Sequence, residues 1–154
     1  MLQINQGYLR ILLLLVIIIF GILFTNACIK TGKNTVIPER QNQIIKNISP
    51  EEAYKLILEN KDNPDFVIID VRTSEEFSDE HLEGAINLNY YSDTFQKDLH
   101  KLDKNKTYLI YCRTGGRSGN TLNIMQELDF RVVYNILGGI TKWKSAGLPT
   151  TGSY

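Results

Sequence analysis

Residues 107–118 read TYLIYCRTGGRS, and the rest of the chain is read outward from them. Thr107 to Tyr111 is a run of β-branched, aliphatic and aromatic residues of strand length. It leads straight into Cys112. Gly115 and Gly116 then allow a tight turn. A helix pattern follows over 117–128, with Leu122, Met125 and Leu128 on one side. Strand, short loop and helix in that order form the repeating unit of an open α/β sheet.

The unit recurs on either side. Residues 66–71 (FVIIDV) are a continuous apolar run, as expected of a strand buried on both faces of a parallel sheet. Further strands are expected at 43–48, 85–88 and 131–135. Between them lie helix signals. Ser49-Pro50-Glu51-Glu52 combines a capping serine, a proline suited to the first helical position and a glutamate that closes a capping box. Ala53, Leu56 and Ile57 would then face the core. Thr73-Ser74-Glu75-Glu76 repeats the box. A helix is expected over 92–102, and Gly138-Gly139 breaks the chain before a last short helix at 141–145. The expectation is one α/β domain over 43–150. Its five-stranded, mostly parallel sheet carries helices on both faces, and 151–154 is left as a tail. Ligands of such sheets bind outside the carboxyl ends of the strands, where Cys112 lies.

Composition narrows the function. Seventeen basic residues balance 17 acidic ones, and no basic tract stands out among the 154 residues. Nucleic acid, which needs a concentrated positive surface, is not an expected partner. The two cysteines, Cys28 and Cys112, are too far apart for a disulfide framework and have no metal-ligand spacing. No metal or cofactor is expected.

The first quarter of the chain differs from the rest. Residues 11–24 read ILLLLVIIIFGILF, an unbroken apolar run shorter than the roughly 20 residues of a full span. Thr25-Asn26-Ala27-Cys28 follows, small residues before a cysteine, as in a bacterial lipoprotein signal. The position three before Cys28, usually Leu, is Thr25 here. Residues 1–28 are therefore expected to be a signal peptide with Cys28 as the lipidated residue, or an uncleaved anchor. A cleaved, untethered form is the third alternative. Residues 29–42 read as a polar linker, able to hold the domain up to about 40 Å from its anchor. The expected location is exported and membrane-tethered, facing the periplasm or the cell exterior.

The loop Cys112-Arg113-Thr114-Gly115-Gly116-Arg117-Ser118 carries the chemistry. Its backbone N–H groups would converge beside a helix N-terminus, and both favour negative charge. Arg113 and Arg117 add positive charge. Each of these effects lowers a thiol pKa. At a pKa near 8.5 about 3% of a thiol is ionised at pH 7, and at about 6.5 roughly 75%. The difference is only about 2.7 kcal/mol, so no histidine base is needed. The competing reading is a buried core cysteine, common in such folds. Two arginines beside two glycines argue for a reactive thiol instead.

Residues from about 43 to 149 resemble the rhodanese family of single-domain sulfurtransferases. The resemblance rests on Ile68-Ile69-Asp70-Val71-Arg72, on Glu76-Phe77 through His81-Leu82-Glu83-Gly84-Ala85-Ile86-Asn87, and on Tyr111 to Ser118. It continues through Leu137-Gly138-Gly139-Ile140, Trp143 and Ala146-Gly147-Leu148-Pro149. It implies that the Cys112 thiolate takes the outer sulfur of a small anionic donor such as thiosulfate, and that a thiol, a protein or cyanide accepts it. Thr114, Gly115, Gly116 and Ser118 would line the loop. Arg117 would meet the donor's anionic group, and Arg113 would point outward and steer substrates. Related cysteine phosphatases place one more residue between Cys and the closing Arg than the four found here. The shorter ring suits one sulfur atom rather than a phosphate, leaving phosphatase or arsenate reductase chemistry a minor alternative.

Asp70 and Arg72 are expected to support the site, Asp70 through the loop backbone and Arg72 through a nearby carboxylate. His81 is placed by the resemblance in a structural turn, and His100 is expected to be solvated. Trp143 should pack the last helix. Tyr90-Tyr91 reads as a surface pair, with lining of the pocket mouth as the alternative. The rival function is a membrane-tethered sulfur-relay or protein-binding module with little free turnover. Redox handling through Cys112 lacks a resolving cysteine in the domain.

Overall fold

The computed structural model describes residues 43–152. The apolar run, Cys28, the linker and residues 153–154 lie outside the described residues. Among the described residues no helix is long and apolar enough to cross a membrane.

Five strands form one sheet: β1 (Ile44–Ile48), β2 (Phe66–Asp70), β3 (Ala85–Asn87), β4 (Thr107–Tyr111) and β5 (Val132–Ile136). The helices are α1 (Pro50–Glu59), α2 (Ser74–Asp79), α3 (Phe95–Lys101), α4 (Gly116–Glu127) and α5 (Gly139–Ser145). The strand order is β1-β5-β4-β2-β3, and every neighbouring pair is parallel. The expected α/β architecture is what the chain adopts.

Strand parity explains the apolar runs. Along β4, Tyr108, Ile110 and Cys112 pack on one face with Phe95 and Leu99 of α3 and Leu122 and Met125 of α4. Leu109 and Tyr111 point to the other face, toward Ala53 of α1 and Ile140 and Trp143 of α5. On β2, Ile69 and Val71 join the first layer, and Ile68, with Phe66 packed against it, the second. A side-chain period of two with both faces covered favours apolar residues throughout β2 and β4. Cys112 therefore lies on the α4 side because of its register on β4.

Both capping boxes form. Ser49 Oγ accepts the Glu52 N–H at 3.2 Å, and the Glu52 carboxylate accepts the Ser49 N–H at 2.8 Å. Thr73 and Glu76 repeat the exchange at 3.3 and 3.1 Å. Two helices start elsewhere than expected. α3 begins at Phe95 rather than at 92, because Ser92 Oγ accepts the Thr94 N–H and contacts the Thr94 hydroxyl, holding a turn. α5 begins earlier, at Gly139, because Gly138 and Gly139 adopt positive φ (75° and 57°) and turn the chain directly into the helix.

Trp143 is buried, donates Nε1–H to the Pro149 carbonyl at 2.9 Å and meets Tyr54 edge-on. His81 stacks on Phe77, and its Nδ1 lies 2.8 Å from the Phe77 carbonyl. Its backbone pairs with Thr151, so the chain stays attached to the domain past residue 150.

Candidate active site

β4 delivers Cys112 to the carboxyl edge of the sheet, between β2 and β5. The next residues must reverse direction into α4. Gly115 does so at φ 104°, a conformation in which a side chain is strained. Gly115 is also the N-cap of α4, and it has no side chain to accept the orphan N–H groups of the first turn. The sulfur of Cys112 takes that place. Sγ accepts the Gly115 N–H at 3.1 Å and faces the Ser118 hydroxyl at 3.4 Å.

These contacts set the thiol's acidity. Burial pushes its pKa up, since the residue is only 1% exposed. The Ser118 hydroxyl and the N–H groups of Ser118, Gly115 and Thr114 all favour the anion, and together they outweigh burial. The pKa is lowered on balance. A cysteine packed as a plain core residue would show the burial effect alone.

Two of the loop's carbonyls are turned the other way. The Cys112 carbonyl accepts the Ile140 N–H at 2.9 Å, and the Arg113 carbonyl accepts the Thr141 N–H at 3.1 Å. The first turn of α5 thus holds the acceptors away from the sulfur and leaves donors around it. This close approach requires Gly139, since a Cβ there would collide with the Cys112 and Arg113 carbonyls.

Arg117 does not face open solvent. Nη1 and Nη2 donate to Glu76 Oε2 and Oε1 at 2.7 and 2.9 Å, a two-point pair linking α4 to α2. The Tyr91 ring lies 5.6 Å from the guanidinium carbon. The Arg117 bonds pull the Glu76 pKa down to about 2. Arg113, in contrast, is exposed and has no side-chain hydrogen bond or ion pair among the described residues, which agrees with the outward orientation expected of it. Thr114 and Gly116 are exposed as well.

Asp70 and Arg72 form a buried pair beneath the site. The Asp70 carboxylate accepts the Arg72 backbone N–H at 2.9 Å and the guanidinium at 2.6 to 3.0 Å. Arg72 also donates to the Glu80 carbonyl. Asp70 thus spends its oxygens on Arg72 rather than on the Cys112 loop. The pair joins the end of β2 to the end of α2.

Two contributors escaped sequence reasoning, Glu76 as the partner of Arg117 and Gly139 as the point of contact with the loop, while Tyr91, read as a surface residue or a lining of the pocket mouth, is exposed and lies against Arg117. Glu76 and Gly139 were visible only as a cap and a helix breaker. A cavity of about 390 Å³ lies at the other end of the sheet, lined by Tyr54, Leu58, Phe66, Leu82, Trp143 and Pro149, and Cys112 does not line it.

A model of the rhodanese-like domain family matches residues 49–146. The chain belongs to the rhodanese-like domain family. The thiosulfate sulfurtransferase GlpE of Coxiella burnetii is 34% identical over 100 residues, 65% of this chain and 88% of that protein. Its namesake from Actinobacillus pleuropneumoniae is 26% identical over 113 residues, 73% and 99% of the two chains. Among solved structures, the polysulfide-sulfur transferase homodimer of Wolinella succinogenes superimposes with a TM-score of 0.57 at 29% identity, covering 72% of this chain and 80% of that one. In this rhodanese-like domain the matched stretch contains the Cys112 loop, Glu76 and the Asp70–Arg72 pair.

Proposed function

We propose that the domain is a sulfurtransferase that moves sulfane sulfur from thiosulfate, or a similar anionic donor, to a thiol or cyanide through a persulfide on Cys112. The observation that carries this reading is the placement of the Cys112 sulfur among hydrogen-bond donors, with the Cys112 and Arg113 carbonyls held by α5. The thiolate attacks the outer sulfur of thiosulfate. A new S–S bond forms, the old one breaks, and sulfite leaves with its electron pair. Cys112 then holds a persulfide anion, favoured by the same N–H groups. An acceptor thiolate or cyanide attacks the terminal sulfur and releases the Cys112 thiolate.

Thiocyanate formation from thiosulfate and cyanide tests the proposal. The wild-type protein should catalyse it and Cys112→Ser should not. Activity that survived the substitution would refute the assignment.

A tether supports a second reading, a relay that passes sulfur to another membrane-associated protein. The apolar run at 11–24 and the small residues before Cys28 favour it, since a scavenger of small anions needs no anchor. The domain would then sit outside the cytoplasmic membrane, held by a lipid on Cys28 or by the run itself. The intact mass of the membrane-extracted chain separates the two anchors. A relay should pass its persulfide to a protein thiol much faster than to cyanide. Equal rates would exclude it.

A further inference from the structure

The loop presents two guanidinium groups, and the structure treats them differently. Arg117 is neutralised by a two-point pair with Glu76, a residue 41 positions away in sequence. Its side chain is 15% exposed, and that of Glu76 is 27% exposed. Tyr91, itself 67% exposed, covers the guanidinium from outside. Arg113 is solvent-facing and has no side-chain partner among the described residues. A site built to receive a doubly charged donor would keep both cations available. Here one of them is already committed.

We infer that Glu76 sets the charge preference of the site: by engaging Arg117 it leaves Arg113 as the loop's one free guanidinium, so the site is matched to monoanionic sulfane-sulfur donors over dianionic ones. The inference rests on the sulfurtransferase reading and names its preferred donor class, of the type RSS⁻ or RSO₂S⁻. Arg117 belongs to the same loop as Cys112, and its pKa is raised chiefly by the bonds to Glu76 and also by the Cys112 charge. With a thiosulfonate the step keeps its balance. The Cys112 thiolate takes the outer sulfur, the S–S bond breaks, and a sulfinate leaves with the electron pair.

A pair that served only to tie α2 to α4 would affect stability and leave donor choice unchanged. Two donors of one chemistry and different charge separate these roles: thiosulfate, a dianion, and methanethiosulfonate, a monoanion of similar shape. The measured quantity is the ratio of kcat/KM for thiosulfate to that for methanethiosulfonate, with the full-length chain in detergent. Glu76→Gln keeps the capping bond to Thr73, because glutamine also serves in a capping box, and it frees the charge of Arg117. The ratio should rise about fivefold, mainly through a lower KM for thiosulfate. Arg117→Gln leaves Glu76 unpaired and should lower the ratio by about as much. The double variant removes both charges and should return the ratio to its wild-type value, which guards against a fold defect in either single variant. A ratio unmoved in both single variants, or moved in the same direction in both, overturns the inference. If neither donor loads sulfur onto wild-type Cys112, the sulfurtransferase reading fails and the inference fails with it. Loading by both donors with an unmoved ratio sinks the inference alone.

Discussion

The carbonyl of Cys112 and the N–H of Ile140 are joined by a 2.9 Å hydrogen bond that fixes which way the nucleophile's loop faces. With that carbonyl held by α5, and the Arg113 carbonyl held by Thr141, the N–H groups of Thr114, Gly115 and Ser118 are left to act on the sulfur. The electrostatic character of the site thus depends on a helix that supplies no side chain to it.

Gly139→Ala tests this dependence. The added methyl would meet the Cys112 and Arg113 carbonyls at a φ of 57°, a left-handed conformation that alanine resists. We expect a loss of about 2 kcal/mol or more in denaturant unfolding, together with a higher Cys112 pKa in the folded fraction. An alanine variant as stable and as reactive as wild type would show that α5 does not set the loop.

Ser118→Ala removes the hydroxyl 3.4 Å from the sulfur and leaves the backbone donors in place. The midpoint of Cys112 alkylation against pH should move upward, and sulfur transfer at neutral pH should fall about threefold to tenfold. Ser118 is fully buried, so Ser118→Cys provides a control of similar size with a poorer donor.

Asp70→Ala leaves the Arg72 guanidinium buried without its counter-ion. Both side chains are almost completely shielded, at 0% and 6% exposure. Removing one member of such a pair costs about 3–5 kcal/mol, readable as a lower urea midpoint. The acidity of Cys112 should change little, because Asp70 makes its bonds to Arg72 and none of the thiol's principal stabilising contacts involves it. A large shift of the thiol midpoint would give Asp70 a direct role.

The Glu76–Arg117 pair predicts a specific dependence of stability on pH. The folded Glu76 pKa is depressed from 4.5 to about 2. A depressed carboxyl contributes its stability above the unfolded value and loses it as pH falls through the folded one. The stability gap between wild type and Glu76→Gln should therefore be constant above about pH 5 and close between about pH 4.5 and 2. Because the pair is partly solvated, the gap itself should be about 1 kcal/mol. A full gap that persisted below pH 2 would show that the contact is not ionic.

Much of the fold was readable because its signals are local. Both capping boxes formed between residues three apart, and the FVIIDV and TYLIY runs became the central strands β2 and β4. The order of strands, with β1 beside β5, follows from packing of distant segments and has no local signature. The site was legible to the same degree. Its nucleophile, glycines and hydroxyl sit in one heptapeptide. The commitment of Arg117 to Glu76, the cover provided by Tyr91 and the grip of α5 on the loop join segments tens of residues apart. The early start of α5 belongs with these, since the two glycines that looked like a break are the residues that bring the helix against the loop.

The most direct test is the ionisation of Cys112 itself. Peptide-resolved alkylation of the native full-length chain by iodoacetamide, followed across pH, reports the thiolate at position 112 apart from Cys28. The hydrogen-bonded loop predicts a midpoint clearly below that of an ordinary thiol, with transfer activity falling as pH drops through that same midpoint. A midpoint at or above the ordinary value, or a Cys112 that reacts only after unfolding, would contradict it.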